Sequence, residues 1–514
     1  MTQAGGPPRI RQVVLGVIAV IALVALTVVL TDSAPGKKPT SSANQGHNGP
    51  VPPNPGTAAS GGADQRAHPV PFVRPAKATL QDSPHKVFAH YFPPFPLSLD
   101  NKPADSDYYT KQYLTPNGES GKHAAYGGFL RDRPLPQAPR SGHWQLSELK
   151  TEVAQAASAG IDGFTVDILS LNGPNWLRTL GLLEAAKSSP GFTVMAMPDM
   201  TAMTSVRQGD LAAALATIAA SPTAFRLADG RLVVSPFAAE RESPDWWSGL
   251  IALMDSKYKI KVAFVPTFLG WQDSAKAFAP ISYGFSDWGH RSPDANAGLA
   301  QDAAAVHAMG KMWMQPVSVQ DERPNQGIYD EAENTNNLRT TWQAAVDGGA
   351  DWVQLTTWND YSEGTEFAPS VDAGWCYLDI SAYYIARFKT GDWPALTSDM
   401  GYVTHRIQPV GAKPTGGQTK LMTLRDGSSP PRDDVEALLF LTAPATVDLD
   451  VGGKTTEQVI PAGVNTMLAP LHNGRISLHI TRKGTEIASA TSPFTVTDKP
   501  ARQDLQYYAV ATGP

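Results

Sequence analysis

The 514-residue chain has a single cysteine, Cys376, so no disulfide can form within it. Cys376 sits in the apolar run Trp375-Cys376-Tyr377-Leu378 with no histidine paired to it. That setting suits a small buried hydrophobe and not a catalytic thiol. Basic charge is also in short supply. Lys and Arg total 42 against 48 Asp and Glu, a net charge of -6. No basic field exists to draw in a polyanion, and no nucleic-acid partner is expected. Metal-ligand spacing is missing too. His85, His90, His123 and His143 form no ligand set, there is no His-Glu-x-x-His, and neither a metal nor another cofactor is expected. The acidic runs Asp321-Glu322 and Asp330-Glu331-Ala332-Glu333 could hold a cation, but a solvated loop face is the expectation for them.

What the chain does have is apolar and aromatic surface. The hydrophobic fraction is 42%, with 12 Trp, 15 Tyr and 17 Phe. Residues 13–30 form an uncharged apolar run preceded by Arg9 and Arg11. About 20 such residues span a bilayer, so residues 1–32 read as a signal anchor or a signal peptide. Asp32-Ser33-Ala34 before Pro35 is a poor cleavage site, which favours the anchor. Either way the remainder is exported, either membrane-anchored by residues 13–30 or secreted. Residues 33–83 are rich in Pro, Gly and Ser and read as a disordered linker.

From residue 84 to 395 short apolar runs alternate with helical periods. Expected strands are 87–91, 161–167, 192–197, 231–234, 261–265, 281–285, 311–315 and 352–357. Expected helices cover 144–159, 175–187, 245–255, 296–309, 336–346 and 381–389. Strands each followed by a crossover predict an all-parallel sheet, and the count of eight predicts an α/β fold of the (β/α)8 TIM-like barrel type. A doubly wound open sheet is the runner-up, but no Gly-rich phosphate turn follows the first strand. The connection from Pro93 to His143 is long for one loop. Residues 396–514 lose helical period. Runs at 435–441, 446–451, 476–480 and 494–496 predict a small C-terminal β-sandwich domain with a structural role.

Catalytic groups of such barrels stand at the C-terminal ends of strands. His90 and Tyr91, Asp167, Asp199, Ser286-Asp287-Trp288, and Gln315 with Ser318 fall there. The eighth strand runs into Trp358-Asn359-Asp360-Tyr361-Ser362-Glu363-Gly364-Thr365-Glu366. One helical turn would place Asp360 and Glu363 on a common face. Two acids in a partly dry pocket cannot both ionise easily, and a proton donor beside an ionised carboxylate is what glycosidic cleavage requires. The plainer alternative is that Asp360 caps a turn that Glu363 completes. Asp167 and Asp199 are expected to bond sugar hydroxyls or to cap helices. His90 and Tyr91 are placed in a subsite or in the core. Trp288, Trp313 and Trp358 are candidate stacking platforms, though a barrel-filling Trp is the commoner outcome. Gln315 and Tyr361 join the substrate-binding candidates, as does Asn359, whose amide would also orient Asp360.

Five segments carry a resemblance: Val87-Phe88-Ala89-His90, Ala159-Gly160-Ile161-Asp162-Gly163-Phe164, Pro198-Asp199-Met200, Met314-Gln315-Pro316-Val317-Ser318 and Trp358-Asn359-Asp360-Tyr361-Ser362-Glu363. They resemble the strand signatures of glycoside hydrolase family 71, the α-1,3-glucanases or mutanases. The last segment is also similar to the Trp-Asn-Glu-x-x-Glu-Gly-Thr pattern of the endo-α-mannosidases of family 99, which Gly364 and Thr365 match. The resemblance implies a hydrolase of α-glucan, with Glu363 as general acid, Asp360 as the other essential carboxylate, and inversion. Tyr361-Ser362 stands where the fungal mutanases read Trp-Gly, a departure that bears on the sugar and linkage. An α-mannan or other α-glycoside hydrolase is one alternative. A catalytically silent polysaccharide-binding protein of the envelope is another.

Overall fold

A computed structural model describes residues 68–513. The apolar run at 13–30 and most of the expected linker lie outside the described residues. Among the described residues no helix is long and apolar enough to cross a membrane. The last part of the expected linker is folded. Helix Lys77–Asp82 stands there, Phe72 is buried against Tyr383, and His68 Nδ1 meets Asp379 Oδ2 at 2.8 Å. The run Pro69-Val70-Pro71-Phe72-Val73 supplies apolar surface to bury, which outweighs the loop-like composition around it.

The main sheet is parallel and curled. Its strands are β1 (Lys86–Tyr91), β2 (Gly163–Ile168), β3 (Thr193–Pro198), β4 (Leu232–Val234), β5 (Val262–Phe264), β6 (Thr267–Phe268), β7 (Gly284–Asp287) and β8 (Met312–Val317). A hairpin follows, β9 (Asp321–Arg323) with β10 (Ile328–Asp330), and then β11 (Trp352–Leu355) returns to the sheet. The order is β5-β4-β3-β2-β1-β11-β8-β7-β6. The expected fifth strand, 261–265, is β5, and beyond Pro266, which has no N–H for the ladder, a further short strand, β6, was not expected. The two flanks of the sheet approach each other at this break. Val265 N donates to Val234 O at 2.9 Å and Thr267 N to Pro236 O at 3.0 Å.

Helices cover the outside. Trp144–Ser158, Gly173–Ala186, Pro244–Tyr258, Asn336–Asp347 and Cys376–Thr390 lie close to the expected spans. Gln208–Ala219 and Trp271–Phe278 were not expected. The expected helix at 296–309 is broken into short turns and the helix Asp302–His307. Side chains alternate across each strand. Phe88, Met195, Val233 and Met314 fill the inside of the curl, whereas Ala89, Val194, Trp313 and Val317 pack against the helices.

The C-terminal region begins with β12 (Met400–His405) and β13 (Thr423–Leu424), which pairs with β10. Then come β14 (Asp434–Leu441), β15 (Ala445–Val451), β16 (Lys454–Ile460), β17 (Gly463–Pro470), β18 (Ile476–Arg482), β19 (Thr485–Thr491) and β20 (Tyr508–Ala511). They form two four-stranded antiparallel sheets, β17-β14-β12-β20 and β16-β15-β18-β19, around one shared apolar core. The run at 494–496 is not a strand. Only Val496 pairs, in a single bridge to Gly474.

Candidate active site

The segment after β11 leaves the sheet and returns on itself. Thr357 N donates to Thr365 O at 3.0 Å, Phe367 N to Thr357 O at 2.9 Å, and Ala368 N to Trp358 O at 2.9 Å. The tip of this loop is a turn, with Glu363 N and Thr365 N both pointing to Asp360 O at 3.3 Å. Asp360 N is held by Thr357 Oγ1 at 2.8 Å. Gly364 takes φ +61°, which favours glycine, and a Cβ there would come within 2.3 Å of Gln506 Nε2 and push that side chain aside. Hairpin β9–β10 pins the turn from the side, Glu322 N donating to Glu363 O at 2.7 Å. A turn thus replaces the expected helical turn, and it still brings the two carboxylates into one field.

Asp360 Oδ1 accepts from Ser362 N at 3.0 Å and Ser362 Oγ at 2.6 Å, so the turn-capping role is also filled by this residue. Burial raises its carboxyl to about 6, with the Ser362 bonds and Arg323 pulling the other way. Glu363 Oε1 lies 2.6 Å from Arg323 Nη1, and its side chain is 14% exposed. Burial, then the charges of Asp360 and Asp321, lift Glu363 to about 8 against the pull of Arg323 and Arg291. The two carboxyls of the loop therefore share one buried field, in which burial raises both and Arg323 favours the ionised form of both. Asp167 joins them. Burial and the charges of Asp199, Asp360 and Glu363 raise it well above the carboxylate range, and its Oδ1 has no hydrogen-bond partner. His90 Nε2 stands 3.9 Å from Asp167 Oδ2, and burial lowers His90 to about 3, leaving a neutral imidazole. Trp288, half-buried, packs on His90 edgewise at 4.8 Å and on Phe237 at 4.7 Å.

The model of Glycosyl hydrolase family 71 matches residues 139–512. The chain belongs to glycosyl hydrolase family 71. Two relatives extend the match. Glucan endo-1,3-alpha-glucosidase agn1 of Schizosaccharomyces pombe is 23% identical over 387 residues, covering 68% of this chain and 87% of the relative. Mutanase Pc12g07500 of Penicillium rubens is 23% identical over 397 residues, covering 72% and 86%. Among solved structures, the GH99 endo-alpha-mannosidase from Bacteroides thetaiotaomicron is 16% identical with a TM-score of 0.46, covering 59% of this chain and 97% of that one. This family 71 chain is a glycoside hydrolase.

Of the residues singled out in the sequence, the family 71 fold brings Asp360, Glu363, Asp167, Asp199, His90 and Trp288 to one end of the sheet. Asp199 is also tied locally, its Oδ1 accepting from Thr201 N and Thr201 Oγ1 at 2.7 Å. Six others are corrected. Tyr91 follows the inward His90 and points out, its hydroxyl donating to Glu152 Oε2 at 3.0 Å. Gln315 follows the inward Met314 and points out, its Oε1 accepting from Trp313 Nε1 at 2.8 Å. Trp358 is fully buried against Phe164 and is a core filler. Trp313 is likewise buried in the helix layer. Tyr361 packs with Phe95, Tyr109 and Phe129 under the long first loop. Asn359 does not orient Asp360. Its Oδ1 accepts from Phe92 N at 2.7 Å, and its Nδ2 donates to Phe95 O at 2.7 Å, which clamps the loop after β1.

The acidic runs are neither solvated nor gathered around a cation. Asp321 and Glu331 are buried. Arg323 Nε donates to Asp321 Oδ1 at 2.8 Å, Arg425 Nε to Asp330 Oδ1 at 2.9 Å, and Arg406 Nη2 to Glu331 Oε2 at 2.9 Å. Among the described residues no group of His, Cys, Asp and Glu is placed to hold a metal ion. Sequence reasoning passed over Arg323, which among the described residues is the cation touching Glu363. The only available signal was its acidic flank, Asp321-Glu322.

Proposed function

We propose that this enzyme hydrolyses α-1,3-glucosidic bonds of an α-glucan, with Glu363 protonating the leaving oxygen and Asp360 activating water on the opposite face. The placing of Glu363, Asp360 and Asp167 in one buried field beside Arg323 carries this reading, because acid–base cleavage of a glycosidic bond needs two carboxyls at one site. The names of the two fungal relatives support the bond type. Inversion fits a water held between base and sugar, which calls for carboxyls about 6.5–9.5 Å apart. Asp167, Asp199, His90 and Trp288 would line the bound sugar. The curled sheet is read as an eight-stranded barrel whose fifth strand is split at Pro266, spanning 84–395 and followed by a sandwich over 396–514. Residues 13–30 would carry the enzyme out of the cytoplasm.

The test is release of reducing ends from α-1,3-glucan and from α-mannan. Wild type should act on the first. Glu363→Gln and Asp360→Asn should each lose about 10²–10⁴-fold in kcat, the usual worth of a general acid or base. Proton NMR of the first-formed anomer should show β-product. Cleavage of mannan alone would reassign the sugar, and full activity in both variants would end the acid–base assignment.

A further inference from the structure

The two carboxyls of the mouth are held by different kinds of group. Glu363 meets a cation, Arg323 Nη1, at 2.6 Å. Asp360 meets neutral donors, Ser362 N at 3.0 Å and Ser362 Oγ at 2.6 Å, and both reach the same oxygen, Oδ1. Among the described residues no protein donor meets Oδ2. Asp360 is 6% exposed, and its Oδ2 is not sealed off, in contrast to Asp167 Oδ1, which is buried without a partner. The two oxygens are therefore unequal. One that already accepts two hydrogen bonds offers less to a further proton, and the free one is left to a water.

Several charges face Asp360 from the elements packed around it. Glu363 and Glu366 come from its own loop, Arg323 and Asp321 from β9, and Asp167 from β2. None of them is bonded to Asp360, whereas Ser362 is. Against burial, which raises this carboxyl to about 6, the Ser362 hydroxyl pulls hardest, ahead of Arg323. Ser362 is half-buried, and its Oγ bonds to Asp360 alone among the described residues. Removing that hydroxyl leaves the backbone N–H bond in place, so the side chain can be tested apart from the turn.

We propose that Ser362 is a positioning residue for the cleavage, its hydroxyl holding Asp360 by Oδ1 and leaving Oδ2 to the attacking water. The proposal rests on the reading of Asp360 as base and Glu363 as acid. In that step the water oxygen bonds to the anomeric carbon, and one water proton passes to Oδ2. The bond from that carbon to the glycosidic oxygen breaks, its electron pair stays on the oxygen, and the Glu363 proton neutralises it. Afterwards Asp360 returns its proton to solvent and Glu363 takes one back.

The test compares full-length wild type, Ser362→Ala and Ser362→Thr. One readout is kcat/KM on α-1,3-glucan from about pH 4 to about pH 9. The other is a carboxyl carbon-13 NMR titration, in which the resonance lost in Asp360→Asn marks Asp360. Without the hydroxyl, the Asp360 midpoint and the acidic limb of the profile should both rise by about one pH unit, the worth of one hydrogen bond to a charged group. At pH 5 kcat/KM should fall about tenfold, and the basic limb should stay in place. Threonine, which keeps the hydroxyl, should restore both values. A crystal structure of Glu363→Gln with an α-1,3-linked oligosaccharide should show a water on Oδ2. An equal loss at every pH with the midpoint unmoved overturns the proposal, because Ser362 then only shapes the turn. A water on Oδ1 overturns it as well. A raised midpoint in Ser362→Ala, when wild type frees no reducing ends from α-1,3-glucan or α-mannan, upholds the hold on Asp360 and overturns the cleavage reading alone.

Discussion

The mouth of the curled sheet and the core of the sandwich are built on opposite principles. Between the two small sheets the contacts are aliphatic. Val447, Leu449 and Val451 on β15, with their neighbours Ile480, Leu478 and Ile476 on β18 of the same sheet, share a core with Val435, Ala437 and Leu439 on β14 of the other, and β15 alternates buried and half-buried along its whole length. Around the mouth the buried groups are charged. Arg323 binds Asp321 and Glu363, Arg425 binds Asp321 and Asp330, and Arg131 lies 3.5 Å from Glu322. The last strand region backs this up, with Leu505 N donating to Glu322 Oε2 at 2.7 Å and Tyr507 N to Gln320 Oε1 at 2.8 Å. Burying a charge is expensive unless it is paired, so the mouth gives up stability for acidities that an apolar core cannot produce.

Substitutions can break this contrast. Arg323→Met should have the largest effect. Removing one partner of a buried pair costs about 3–5 kcal/mol. It also takes away the cation that favours ionised Asp360 and Glu363, so both carboxyls rise and both limbs of the kcat/KM–pH profile move to higher pH. Denaturant titration and pH–rate curves check the two halves separately.

Leu478→Ala, in the sandwich, should cost about 2–5 kcal/mol by cavity formation. Its pH–rate profile should match wild type, and a shifted profile would mean that the sandwich core tunes the mouth. Gly364→Ala forces a left-handed residue against Gln506 and should cost about 1–3 kcal/mol, with loss of activity as the turn moves. Tyr91→Phe removes one hydroxyl from Glu152 and should cost about 1 kcal/mol, with kcat/KM within twofold of wild type.

A smaller effect sharpens the comparison. The folded Glu363 holds its proton to about 8, whereas the unfolded carboxyl loses it near about 4.3. Between those values the folded state binds more protons, so the stabilisation present at low pH is lost as pH rises. Thermal melts from pH 5 to pH 8 should therefore fall less steeply for Glu363→Gln than for wild type.

Most strands and the sandwich pattern were legible because period and turn residues are local signals. The nine-residue run ending in Glu366 was legible because it concentrates acids where a strand stops. The inward or outward sense of Tyr91 and Gln315 was lost by one position, although parity from Phe88 and Met314 was available in the same strands. Arg323 sits two residues from Asp321 in the same strand and was within reach of the sequence, but the other partners were not, since Arg425 is about 100 residues from Asp321 and Asp330, and Arg406 lies 75 positions from Glu331.

By itself the amino-acid order determined a parallel α/β sheet, an all-β end and the short spacing that sets Asp360 and Glu363 in one turn, because backbone period and short-range spacing are properties of neighbouring residues. Only the folded chain decided which way each acid's protonation is pushed. That depends on burial and on Arg323, Asp321 and Arg291, groups that meet Glu363 after the loops have closed over the mouth.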